Sequence, residues 1–348
     1  MNPMILPITL LSLLLGTTMT FIASHWLLIW VGLEINTMAI IPLMIHQHHP
    51  RATEATTKYF LTQATASATL LFAGVINTWL TGQWDFTEIS SPTSATLISL
   101  ALALKIGLAP LHFWLPEVLQ GLNLLTGLIL STWQKLAPFA ILLQLHHLLN
   151  STLMMSMGIL SILIGGWGGI NQTQLRKILA YSSIAHIGWM VVILYYSPNL
   201  TLLTLAIYIM MTSSLFLIFH INNTTKINSM AISSTKSPLL TITAMLVLLS
   251  LGGLPPLTGF MPKWLILQEM TKQNLPIPAT IMALAALLSL FFYLRLSYSI
   301  TLTLPPNPTT SSSSWRTKTI QPTLAMSLMI PLSLLMLPLT PLTLSLVA

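Results

Sequence analysis

Runs of about twenty apolar residues follow one another along this chain, and turn-forming or charged residues mark the gaps between them. A bilayer core takes about 20 helical residues to cross. The pattern predicts spans at 3–23, 25–45, 57–80, 93–122, 125–145, 151–170, 175–195, 200–221, 238–270, 276–303 and 323–346. Connections are short, apart from 222–237 and the Pro/Ser-rich stretch 304–322, which reads as a surface linker. The opening MNPMILPITLLSLLLG has no basic n-region and no small-residue cleavage site, so it reads as the first span and not as a removable signal. The expected fold is an all-α polytopic membrane protein, with 1–348 forming one membrane domain.

Composition excludes the alternatives. Only 5 % of the 348 residues are charged and 54 % are hydrophobic, against roughly 25 % charged in average globular chains. A soluble fold could not cover its surface from such a pool. The chain has no cysteine, which removes disulfides, thiolate metal sites and iron–sulfur clusters.

The charges test the topology. Eleven spans place Arg51, Lys58, Arg176, Lys177, Lys226, Lys236, Arg316 and Lys318 on one side. The other side receives Lys272, with Asp85 and Glu88. That asymmetry is the positive-inside bias, and a miscounted middle span would scramble it. The N-terminus then lies on the basic side and the C-terminus on the opposite one. Three glycosylation sequons, at Asn150, Asn171 and Asn222, fall on both sides, so they cannot all be used.

Four basic residues remain inside spans: Lys105, Lys135, Lys263 and Arg295. Glu34 lies near the middle of the second span. Arg295 is close enough to the basic side for its stem to reach the interface. Glu34, Lys105 and Lys135 each stand about ten residues, or ~15 Å of helix, from either end. A charge at mid-bilayer costs ~2.5–3.5 kcal/mol on insertion scales, so such residues pair or face a watery cavity. An ion pair that fixes helix packing would balance its charges. Three lysines against one carboxylate favour transport instead, because an amine held in hydrocarbon sheds its charge more readily than one in water. Glu34 beside Lys105 would make a coupled pair.

Two spans, the fourth and the ninth, are too long and carry interior breakers. The fourth has Lys105-Ile-Gly-Leu-Ala-Pro110, and the ninth has LGGLPPLTGFMPKW with Pro255 and Pro256 ahead of Lys263. Proline removes a backbone donor, and irregular backbone survives in a membrane only within protein or beside water. The two breaks lie five spans apart. An odd number inverts a repeat, and paired interruptions point to a transporter's binding region. The expected layout is two inverted five-helix repeats, 3–145 and 151–303, then the linker and a C-terminal helix at 323–346.

Other chemistry is sparse. HQHH at 46–49 and HH at 146–147 read as surface polar residues, since no set of converging ligands accompanies them. His186, at a depth comparable to Glu34's, and His112, next to the first break, are candidate relays. The glycines of IGGWGGI allow close helix contact. No phosphate loop, dinucleotide fingerprint or nucleophile–base motif is present.

The segments WVGLEINTMAIIP, ALKIGLAPLHFWLPEV, STWQKLAP, LRKILAYSSIAHIGW and LGGLPPLTGFMPKW carry a resemblance along the whole chain. It resembles the antiporter-like membrane subunit family of mitochondrial respiratory complex I, at its NADH dehydrogenase (ubiquinone) subunit 2 branch, which is similar to cation/proton antiporter subunits. The resemblance implies a proton-translocating axis of Glu34 with Lys105, then Lys135, then Lys263. It also implies the mitochondrial inner membrane, with the matrix on the basic side and the intermembrane space opposite. NADH, FMN, iron–sulfur clusters and ubiquinone would belong to other subunits, with no cofactor or metal in this chain. Implied partners are other complex I subunits, including antiporter-like subunit 4 and small subunit 4L, and lipids such as cardiolipin, but no nucleic acid. Bacterial relatives of the family carry three further N-terminal spans, and this chain begins with what would be their fourth. Two other functions compete: a structural or coupling subunit that pumps nothing itself, and a stand-alone cation/proton antiporter.

Overall fold

A computed structural model describes residues 5–46, 48–234, 237–302 and 323–342. The linker 304–322 lies outside them, with Arg316, Lys318 and also Lys236. Among the described residues, fifteen α-helices follow in order: α1 (Ile5–Ile22), α2 (Trp26–Ile45), α3 (Pro50–Thr81), α4 (Pro92–Ile106), α5 (Trp114–Gly121), α6 (Leu124–Ser131), α7 (Trp133–Leu145), α8 (Ser151–Gly169), α9 (Leu175–Leu194), α10 (Pro198–Ile221), α11 (Ile227–Ser233), α12 (Pro238–Gly252), α13 (Phe260–Lys272), α14 (Pro276–Thr301) and α15 (Leu324–Leu335). Among the described residues, eight helical segments are long and apolar enough to cross a membrane, and α4, α12 and α15 are shorter apolar helices. The chain is a multi-pass membrane protein.

Local rules explain the boundaries. Prolines open α3, α4, α10, α12 and α14, where the missing N–H is an orphan in any helix. Buried hydroxyls return to their own helix, as Ser182 does to the Leu179 carbonyl (2.8 Å) and Ser214 to that of Met211 (2.7 Å). Where water is absent, that back-bonding satisfies the donor without a partner helix.

Both expected breaks occur in the backbone. The fourth span divides into α4 and α5 around residues 107–113, and the ninth into α12 and α13 around 253–259. The fifth span, expected to be continuous, is also interrupted: Thr132 separates α6 from α7.

The chain divides into two compact units, Met1–Ser161 and Ile162–Ala348. In the first, α3 packs on α4 and α5, and α7 packs on α1, α2 and α4. In the second, α9 and α10 are the inner helices, and α12 packs on α14 and α15. Thr258, in the second break, donates to the Ser333 carbonyl of α15. Gly165 lets α8 close on α9: a Cβ there would stand 2.7 Å from the Ala185 nitrogen.

Candidate functional site

The end of α4 builds the first site. Gly107 takes a left-handed conformation (φ 85°), and its N–H and that of Leu108 both return to the Ala103 carbonyl at 2.9 Å. Two further carbonyls are closed by side chains. Trp114 Nε1 donates to Leu104 O at 3.0 Å, and Gln63 Nε2 donates to Lys105 O at 3.4 Å. The Lys105 side chain, only 6 % exposed, leaves from this negative helix end, which favours a cation. Its Nζ has no hydrogen-bond partner among the described residues.

Lys135 arrives from the other interruption. It sits in the first turn of α7, 3 % exposed, just past Thr132. Lys105 and Lys135 line one cavity of about 20 Å³, together with Asn36, Tyr59, Gln63 and Gln134. That volume admits about one water molecule, given a polar lining. Gln134 Nε2 donates to the Asn36 carbonyl at 3.0 Å and so ties α7 to α2 beside the cavity.

Glu34 faces elsewhere. Leu33, Asn36 and Thr37 of α2 reach the lysine cavity, whereas Glu34, Ile35 and Met38 line a separate groove of about 490 Å³ with Thr9 and Ser12 of α1. Ion pairs within 4.0 Å among the described residues are Lys58 with Glu54 and Glu117, and Lys272 with Glu269. The expected contact between Glu34 and Lys105 is therefore absent from the ion pairs of the described residues, and Glu34 lines the groove between α1 and α2 instead.

The second unit holds a smaller constellation. Lys263 Nζ donates to the carbonyls of Gly252 (2.8 Å) and Leu251 (3.4 Å), closing the end of α12. Lys263 and His186 line a cavity of about 20 Å³ with Thr204 and Tyr208, and the His186 and Tyr208 rings lie 5.7 Å apart. His112 is buried against Phe113 and does not line the Lys105 cavity. Pro110, Pro255 and Pro256 face outward at the breaks. Arg295 reaches the loop after α8, but donates to the Ile170 (2.5 Å) and Gln172 carbonyls.

The two broken helices share a register. A shift of 146 positions, which carries Pro92 to Pro238, also carries Gly107 to Gly253, Pro110 to Pro256 and Pro116 to Pro262. Both pre-break helices have 15 residues, and both break glycines are left-handed, at φ 85° and 84°. The same shift places Lys263 on Glu117, and Leu251 on Lys105. The two break lysines are thus not counterparts.

Comparison with known proteins decides the family. The family described as NADH:quinone oxidoreductase/Mrp antiporter matches residues 23–289, and that of the NADH dehydrogenase subunit 2 C-terminus matches 290–344. This chain belongs to the NADH:quinone oxidoreductase/Mrp antiporter family. Among relatives of its subunit 2 branch, NADH-ubiquinone oxidoreductase chain 2 of Squalus acanthias is 71 % identical over 98 % of both chains. That of Scyliorhinus canicula is 68 % identical over 99 % of both. A chain of respiratory complex I from Thermus thermophilus aligns with a TM-score of 0.81 at 27 % identity, covering 95 % of this chain and 78 % of that one. The Mrp complex of Dietzia sp. DQ12-45-1b shares the fold, with a TM-score of 0.76 at 18 % identity over 86 % of this chain and 61 % of its own. Within this antiporter family, the present chain is an antiporter-like membrane subunit of the complex I type.

Sequence reasoning missed the amides and tyrosines around the lysines. Gln63 and Gln134 left a signal, since an amide inside an apolar span must find a partner, and breaks free carbonyls. Tyr59 and Tyr208 left none, because interfacial aromatics look the same in sequence.

Proposed function

We propose that this chain translocates protons across the mitochondrial inner membrane as one module of complex I, driven by electron transfer from NADH to ubiquinone in other subunits. One observation carries the reading: Lys105 and Lys135, each beside a helix interruption, share one buried polar cavity. A proton on either amine passes to the other through a bridging water held in that cavity. Lys263 and His186 line a second polar cavity, within the second unit, that takes part in the same way. Moving each charge against 100 mV takes ~2.3 kcal/mol, which the redox reaction supplies. FMN and the iron–sulfur clusters reside with that reaction elsewhere.

The basic loops face the matrix, and eleven spans form two inverted five-helix repeats plus a last helix. The shared register of the two broken helices supports the repeats. Antiporter-like subunit 4, subunit 4L and cardiolipin are the expected neighbours. The test is Lys105→Met in the assembled complex. The ratio of protons moved to electrons transferred falls, and an unchanged ratio refutes the reading.

A second reading has one observation in its favour. Lys263 is bonded to the carbonyls that end α12, as a purely structural cap would be. On that reading the chain couples its neighbours and moves no proton. Intact pumping after both Lys135 and Lys263 are neutralised would establish it.

A further inference from the structure

The shift of 146 positions singles out Glu117. Like Lys263, it follows a proline (Pro116, Pro262) and is the fourth residue of the helix that resumes after the break. In the second unit this position holds a part-buried lysine whose amine caps the end of α12. In the first it holds a carboxylate, about half exposed.

Glu117 Oε2 accepts from Lys58 Nζ at 2.7 Å, and the same ammonium lies 2.7 Å from Glu54 Oε1. Arg51 lies one turn before Glu54 on the same helix. Two carboxylates thus share one lysine at the seam between α3 and α5. Exposed ion pairs hold helices together weakly, so packing is a poor reason for this cluster. Its place is a better one. Tyr59 follows Lys58, and Trp114 precedes Glu117 by one turn. Both rings, 5.8 Å apart, line the cavity of Lys105 and Lys135. Trp114 is tied to the Leu104 carbonyl, whereas Tyr59 brings a hydroxyl that both gives and takes a proton.

We propose that Glu117, held by Lys58, is the port through which protons enter the Lys105–Lys135 cavity from the aqueous phase on the basic-loop side. The proposal rests on the pumping reading above. Hydronium gives a proton to the Glu117 carboxylate, leaving water and the neutral acid. Lys58 keeps Glu54 as its counter-ion, so no charge is stranded. The proton then passes by way of the Tyr59 hydroxyl, which takes one proton as it releases another, to the neutral Lys105 amine. Lys105 becomes an ammonium, and Glu117 returns to carboxylate and to Lys58. Sharing one lysine between two acids lets one acid be protonated while the other holds the ammonium.

The experiment uses the assembled complex in liposomes, with NADH oxidation and proton movement measured together. Glu117→Gln is expected to lose this module's share of the proton-to-electron ratio, and Glu117→Asp to recover it. Loss in Lys105→Met with none in Glu117→Gln overturns the port and leaves the pump standing, whereas loss in neither overturns both. A second measurement on the unaltered complex covers failure of the variant to assemble. A hydrophilic carbodiimide, which attacks protonated carboxyls, is expected to label Glu117 more during turnover than at rest and to lower the ratio. Labelling that ignores turnover, or that leaves the ratio intact, overturns the proposal.

Discussion

Lys263 Nζ stands 2.8 Å from the carbonyl of Gly252, the last residue of α12, and so bridges the second break with its own side chain. An amine on an orphan helix carbonyl is a cap, and on the proposed reading it is a proton carrier as well. Lys263→Met removes both roles. Losing a hydrogen bond from a charged group costs about 1.5–3 kcal/mol, and the lower melting temperature of the assembled complex should report it. Lys263→Arg is expected to keep the cap and lose the pumping, because guanidinium does not release its proton.

Gln63→Leu leaves the Lys105 carbonyl without its side-chain donor and takes one amide from the cavity lining. An unmet buried acceptor costs about 1–3 kcal/mol. The complex should assemble with reduced thermal stability, and its proton-to-electron ratio should fall while NADH oxidation continues.

Gly107→Ala and Gly253→Ala force a side chain into the left-handed region, at about 1–2 kcal/mol each. Their neighbours differ. The added methyl would stand 3.1 Å from Leu115 Cδ1 at the first site and 3.0 Å from Lys263 Cδ at the second. Gly253→Ala should therefore disturb pumping more than Gly107→Ala at similar loss of stability, as a paired measurement of melting temperature and proton ratio would reveal.

Arg295→Lys tests the loop after α8. Arg295 holds the Ile170 and Gln172 carbonyls with separate nitrogens of one planar fork, which an ammonium cannot reproduce. Faster amide hydrogen exchange around residues 170–174 is expected, with α9 unaffected.

Much of this was legible before any coordinates. The breaks at Pro110 and at Pro255–Pro256 announced themselves, because proline within an apolar run has few other meanings. Lys105 and Lys135 stood out by the cost of burying them. The facing of Glu34 was illegible. The polar residues of α2, Glu34, Asn36 and Thr37, are consecutive or nearly so and fall on different faces, so no single polar stripe marks which face meets the lysines and which meets α1. The interruption at Thr132 carries no proline or glycine of its own and lies inside a span short enough to look whole. The Glu117–Lys263 correspondence was present in the letters but masked by the more conspicuous pair of lysines.

The closure of α4 by Trp114 and Gln63 has a mechanical consequence. The backbone N–H groups of Gly107 and Leu108 close only the Ala103 carbonyl, so the Leu104 and Lys105 carbonyls, fastened by side chains, can be unlatched one rotamer at a time and no turn of helix need unwind. Swinging Gln63 off the Lys105 carbonyl trades one long hydrogen bond for one to water, so the first break can loosen and re-fasten while the rest of the bundle stands still.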